Sequence, residues 1–217
     1  MAQANDSILI TPGSGAVVAT HNPGDGKEYQ VVMLADDSGH LMQSLPTYSF
    51  FIKVSAGAAA KDHFDIFNAA GSGKLLEMRG LWATPQISGT AITGTISPDF
   101  DFLRTSAVGS GGTAIPYKAT TFPNMSPMDT ANAALPAQVT ARAGPTGGAT
   151  IAEALFTSYV TQEESQAGAQ LGQWFNLFPE TAMGQRYAAR EGQGFKLRQI
   201  TLGVAQNFSF FGVFTLV

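Results

Sequence analysis

The chain has 217 residues and a formal net charge of −4, and only 13% of its residues are charged, about half the share usual in a globular protein. Its Lys and Arg stand singly rather than in blocks, so the clustered cations that displace counterions from nucleic acid are missing and direct nucleic-acid binding is not expected. The absence of cysteine excludes a disulfide framework and thiolate metal sites.

Hydrophobic residues make up 44% of the chain and glycine contributes 24 residues. So few charges leave much of the surface neutral and rich in small side chains. That suits either a protein that lives against other subunits or a neutral β domain. The N-terminus, MAQANDSILITPGSG, lacks a basic region followed by a long apolar one, so a secretory signal is not expected. No run approaches the ~18 apolar residues of a membrane-spanning helix.

Residues 1–6 read as a tail. Apolar runs at Ile8–Ile10 and Ala16–Thr20 are broken by Thr11-Pro12-Gly13 and Gly15, which is turn chemistry. Asn22-Pro23-Gly24-Asp25-Gly26 is a second turn, and Glu28–Leu34 is a β run rich in branched and aromatic residues. TYSFFIKV, inside Leu45–Val54, predicts another strand. His63–Ala69 alternates, Gly71-Ser72-Gly73 predicts a hairpin turn, and Leu75–Trp82 is expected to pair with the strand before it. Thr90–Ile96 is a Thr/Ile ladder, and Phe100–Thr105 alternates again. Gly109-Ser110-Gly111-Gly112 is a turn before Thr113–Tyr117.

Residues 121–150 are rich in Pro, Asn and Ala with weak periodicity, and predict a long ordered crossing loop. Ala152–Val160 reads as a strand or a short helix. Residues 161–173 are polar, and Trp174–Phe178 is an aromatic cluster. FKLRQITLGV after Arg190-Glu191-Gly192-Gln193-Gly194 alternates strictly, and Asn207–Val217 reads as a buried final strand. Short strands, Gly/Pro turns and little helix predict an all-β fold. More apolar strands are present than one flat sheet can bury, so the expected architecture is an antiparallel β-sandwich, jelly-roll-like.

No catalytic constellation emerges. Gly71-Ser72-Gly73-Lys74 has the outline of a phosphate loop, but Asn68 stands where the first Gly belongs and Leu75 where Ser or Thr belongs. The turn also precedes a strand rather than a helix N-terminus. Gly109, Gly111 and Gly112 open no helix either. His21, His40 and His63 lie far apart, without the short spacings of a zinc site. Asp62, Asp65, Asp99 and Asp101 flank strands, where solvated edge positions are the simplest reading and a carboxylate pair is the alternative. There is no G-x-S-x-G elbow, no cysteine nucleophile and no H-E-x-x-H motif, so an enzyme is not expected. Trp174, Phe175, Phe178, Phe208, Phe210, Phe211 and Phe214 make the last quarter aromatic. They read as core, with a subunit interface or a sugar-stacking shelf as alternatives; the dominance of Phe favours burial or oligomerisation over the shelf.

In order, several pieces of the chain resemble small head-associated structural proteins of tailed bacteriophages. They are GKEYQVV from residue 26, FNAAGSGKLL at 67–76, LRTSAVGSGGTA at 103–114, ALPAQVTA at 134–141 and REGQG at 190–194. The resemblance covers roughly residues 14–217. It implies an N-terminal arm at 1–14 and a single β-sandwich domain over 15–217. It further implies a capsid decoration or cement protein, a homotrimer bound to the major capsid protein of the virion, with no membrane, no cofactor and no catalytic residue. Alternatives are a shell-forming jelly roll, a neck or tail component, a carbohydrate-binding adsorption module and a β-fold hydrolase.

Overall fold

The computed structural model describes residues 45–86, 98–147, 150–160, 174–178, 186–201 and 207–217, together with the backbone of 17–21 and 29–33. The chain divides into two compact units, 1–44 and 45–217. In the first, β1 (Val17–His21) and β2 (Tyr29–Met33) form an antiparallel pair that runs from Val17 opposite Met33 to His21 opposite Tyr29. The expected strand at Ile8–Ile10, the Thr/Ile ladder at Thr90–Ile96 and His40 lie outside the described residues.

The second unit is a sandwich of two antiparallel sheets, and the described residues contain no helix. Its long strands are β3 (Thr47–Ala56), β4 (Lys61–Asn68), β5 (Leu76–Gln86) and β6 (Asp99–Thr105), then β10 (Ile151–Tyr159), β13 (Gln193–Gln199) and β14 (Asn207–Leu216). Short strands β7 (Thr113–Ala114), β8 (Asn124–Pro127), β9 (Val139–Ala143), β11 (Phe175–Asn176) and β12 (Ala188–Ala189) lie between them. One sheet runs β11-β5-β14-β3-β8, with β12 also on the β5 edge; the other runs β10-β6-β13-β4-β9-β7.

From β3 to β6 successive strands alternate between the sheets, while β10 stays beside β6 in the second. β3, β5, β11 and β14 belong to the first sheet, whereas β4, β6, β10 and β13 belong to the second. In each sheet a late strand slots between two early ones: β14 between β3 and β5, β13 between β4 and β6. That interleaving of two four-stranded sheets is the jelly-roll order; β8 on one side and β9 with β7 on the other widen it.

Alternation builds the core, as the sequence pattern predicts. Tyr48, Phe50 and Ile52 of β3 and Phe208, Phe210 and Phe214 of β14 face Phe64 and Ile66 of β4, Phe100 and Phe102 of β6, and Phe195 and Leu197 of β13. Eight of the 15 phenylalanines are fully buried there, each stabilising by about 2–3 kcal/mol relative to exposure. Their rings meet mostly edge-on or tilted, as Phe100 does with Phe208 at 5.3 Å, the arrangement ring quadrupoles favour. Gly212 completes this layer because a Cβ there would lie 2.2 Å from the Phe50 ring.

Two expectations need correction. The Gly71-Ser72-Gly73 turn is not a hairpin: β4 and β5 lie in different sheets, so the turn arches across the edge of the sandwich. Gly71 and Gly73 take φ of 85° and 64°, as a sharp reversal requires. Nor is the ordered segment 121–150 only a crossing loop. It carries β8 and β9, one in each sheet. Pro127 marks the end of β8, an edge strand, where a missing N–H costs no ladder bond. Ala152–Val160, open between strand and helix, is the strand β10.

Candidate functional site

The glycine turn is a small anion nest after all, filled by the protein's own carboxylate. Glu191 accepts hydrogen bonds from the Gly73 N–H at 2.5 Å and the Gly71 N–H at 3.3 Å, and from the Ser72 hydroxyl at 3.4 Å. Those N–H groups hold the Glu191 carboxyl below its ordinary range. The turn is thereby bound to the β12–β13 corner, and its amides are spent on a structural clasp rather than on phosphate.

The carboxylates do not converge on a metal. No group of three His, Cys, Asp or Glu side chains able to hold an ion occurs among the described residues. Asp99 accepts from the backbone N–H and hydroxyl of Thr201, and Asp101 from the Thr157 hydroxyl at 2.6 Å. Asp62 is buried between Lys196 Nζ at 3.1 Å and Arg198 Nε at 2.7 Å. Asp65 accepts from the Gly109 N–H at 2.7 Å. Burial raises its carboxyl above the usual range, an effect the Gly109 bond and Arg142 partly offset. The reading of Asp62 and Asp65 as solvated edge residues is therefore corrected: both are buried, at 5% and 2% exposure.

His63 sits in the core, and two β-bulges put it and Ser55 there. Between β4 and β13, Phe64 pairs with Leu197 and Asp62 with Arg198. His63 is the extra residue, so both it and Phe64 point inward. Between β3 and β14, Ile52 pairs with Phe210 and Ser55 with Phe208. The extra residue on β3 turns Ser55 toward the interior, where strict alternation from Ile52 would have turned it out.

There His63 is packed against Phe210 at 4.7 Å, Phe100 at 5.6 Å and Phe208 at 6.0 Å. Its Nδ1 is 2.8 Å from Ser55 Oγ, and its Nε2 is 3.0 Å from Gln199 Oε1. Gln199 donates from its NH₂ to the Thr201 carbonyl at 2.7 Å and accepts from the Ala58 N–H at 3.2 Å. That leaves Oε1 as the acceptor for the imidazole N–H, which fixes the proton on Nε2 and leaves Nδ1 to accept from the Ser55 hydroxyl. Burial in this apolar cage holds the imidazole at about 4. Gln199 and Asp62 pull the value up, and Lys61 pushes it further down. The ring is neutral at physiological pH.

Ser55 also lines a cleft of about 370 Å³, together with Ile52, Ala56, Lys61, Phe122 and Pro123. Lys61 donates to the Ala56 carbonyl there, and burial lowers its ammonium below the usual value. The trio was not legible in the sequence because Ser55, His63 and Gln199 are 8 and 136 residues apart. The only local sign is the break in alternation at Asp62-His63-Phe64.

Aromatic side chains also line the outer face of the first sheet. Trp82 lies 5.5 Å from Phe211, Phe211 6.5 Å from Trp174, Trp174 6.0 Å from Phe51 and Phe51 4.8 Å from Phe122. Trp174 is 42% exposed and Phe122 57%. The aromatic last quarter thus divides: Phe208, Phe210 and Phe214 enter the core, while Trp174 and Phe211 join this outer stripe.

No family model, curated protein or solved structure matches the chain.

Proposed function

We propose that the protein is a structural subunit of a virion, a jelly-roll capsid decoration or cement protein that assembles as a homotrimer on the major capsid shell. The observation that carries this reading is the continuous stripe Trp82–Phe211–Trp174–Phe51–Phe122 on a sheet face. Trp174 and Phe122 are exposed and Trp82, Phe211 and Phe51 half-buried beside them, and aromatic rings gathered so on one face mark an interaction surface rather than scatter. Adjacent rings are inclined to one another by 34° to 69°, so they offer no common plane for a sugar ring to stack on. That favours a protein neighbour over the carbohydrate shelf. The occupant we assign is a second copy of this chain. The sparse charge of the surface and the jelly-roll order, a frequent choice of capsid proteins, support the same reading, as does the phage resemblance. Repetition by symmetry lets modest contacts add up over a shell.

The test is a density map of particles assembled from the genome that encodes this chain. Symmetric clusters of this chain over a larger shell protein are expected. Particles that lack it would overturn the reading.

A further inference from the structure

Beyond that assembly role, we propose that Ser55 is the nucleophile of an acyl-transfer site, with His63 as its general base and Gln199 as the residue that orients the imidazole, acting on small carboxylic esters. Three observations carry it. The Ser55 hydroxyl donates to the unprotonated Nδ1 of His63 at 2.8 Å, and Gln199 holds the other ring nitrogen. That is the nucleophile–base–orienter chain of serine and cysteine acyl-transfer enzymes, with a neutral amide as third member, as in the Cys-His-Asn arrangement. Both Ser55 and His63 are brought to the interior by bulges, a device that re-aims side chains beside active sites. And Ser55 is not sealed in: it lines the cleft of about 370 Å³, whose apolar wall of Ile52, Phe122 and Pro123 suits a short acyl chain. Lys61, on the same lining, is the cation available to a developing oxyanion.

The chemistry balances with water alone. Ser55 Oγ bonds to the ester carbonyl carbon as its proton passes to His63 Nδ1. The carbon–alkoxy bond then breaks, and the leaving alcohol takes that proton. Water next adds to the acyl carbon and gives a proton to Nδ1, and Ser55 Oγ leaves with it. The products are a carboxylic acid and an alcohol. The charged groups near the base are Lys61 and Asp62 on β4, and Lys196 and Arg198 on β13, which hold Asp62. β3, β6 and β14 face it with Ser55, Phe100, Phe208 and Phe210.

The test is labelling of the intact protein with a fluorophosphonate at pH 8, read by peptide mass spectrometry, alongside the release of nitrophenol from p-nitrophenyl acetate. One adduct on Ser55 is expected, lost in Ser55→Ala and slowed on the order of 100-fold in urea-unfolded protein, the scale of a positioned general base. The labelling rate should stay level down to about pH 5 and fall only as His63 takes a proton. A folded wild type that does not label, or labels at another residue, overturns the proposal. So does labelling of Ser55 that is equally fast in the unfolded chain. Because the folded wild type is compared with its own unfolded chain, a Ser55→Ala variant that fails to fold cannot obscure the outcome.

Discussion

His63 shows how one buried side chain sets a pH limit on the whole fold. The imidazole has an ordinary value of 6.5 and about 4 in the folded chain. Between these values the unfolded chain is protonated and the folded one is not, so unfolding takes up a proton and stability falls as pH falls. The full effect is about 3 kcal/mol. Asp65 acts in the opposite sense: its raised carboxyl makes the folded state the better proton acceptor, which softens the loss at the acid end. Urea unfolding at pH 7 and pH 4.5 should therefore show a clear drop in stability, and a His63→Gln variant should flatten it. A wild-type profile without slope in that window would contradict the buried neutral imidazole. Asp62 is the other critical residue. Its carboxylate is shared by buried Lys196 and half-buried Arg198, so Asp62→Ala should cost about 3 kcal/mol, the scale of breaking a buried pair. Asp101, which accepts from the Thr157 hydroxyl and stands across from Arg198 at a partly exposed position, should cost under about 1 kcal/mol when changed to Asn. Denaturant midpoints of the two variants check the contrast.

Among the elements, strands were legible in the sequence and their partners were not. Phe64/Ile66, Phe100/Phe102 and Phe195/Leu197 announce core faces by spacing alone, and each lands in the core. The Gly71-Ser72-Gly73 reversal looks the same in sequence whether it closes a hairpin or arches between sheets. What decides is β14 and β13, more than a hundred residues later, which take the places beside β5 and β4. Bulges are invisible for a related reason: they exist only relative to a partner strand. So the interior positions of Ser55 and His63 could not be read from the chain, and with them the Ser55–His63–Gln199 relay. Gly212 illustrates the packing that results. In Gly212→Ala the new methyl meets the buried Phe50 ring across the strand pair, with an expected loss of about 2 kcal/mol from overpacking. Combining it with Phe50→Leu should give less than the sum of the two single losses, a coupling that a double-mutant cycle measures. Strict additivity would mean that the ring is not what Gly212 makes room for.

At the scale of the molecule, the jelly roll buries one set of aromatic rings and leaves another on its outer face. The buried set, eight phenylalanines among it, accounts for the fold. The outer set lies outside the buried core, and its exposure of Trp174 and Phe122 carries a solubility cost. A partner that covers the stripe resolves that cost, and a second copy does so without requiring any other gene product in solution. On this account the paired change Phe122→Ser with Trp174→Ser leaves the fold intact, because neither side chain belongs to the buried core. It should remove the association of copies. Sedimentation equilibrium of the wild type and this double variant tests the claim most directly. The account predicts three chain masses for the wild type and one for the folded variant. A wild type that stays monomeric at all concentrations, or a variant that remains a trimer, would contradict it.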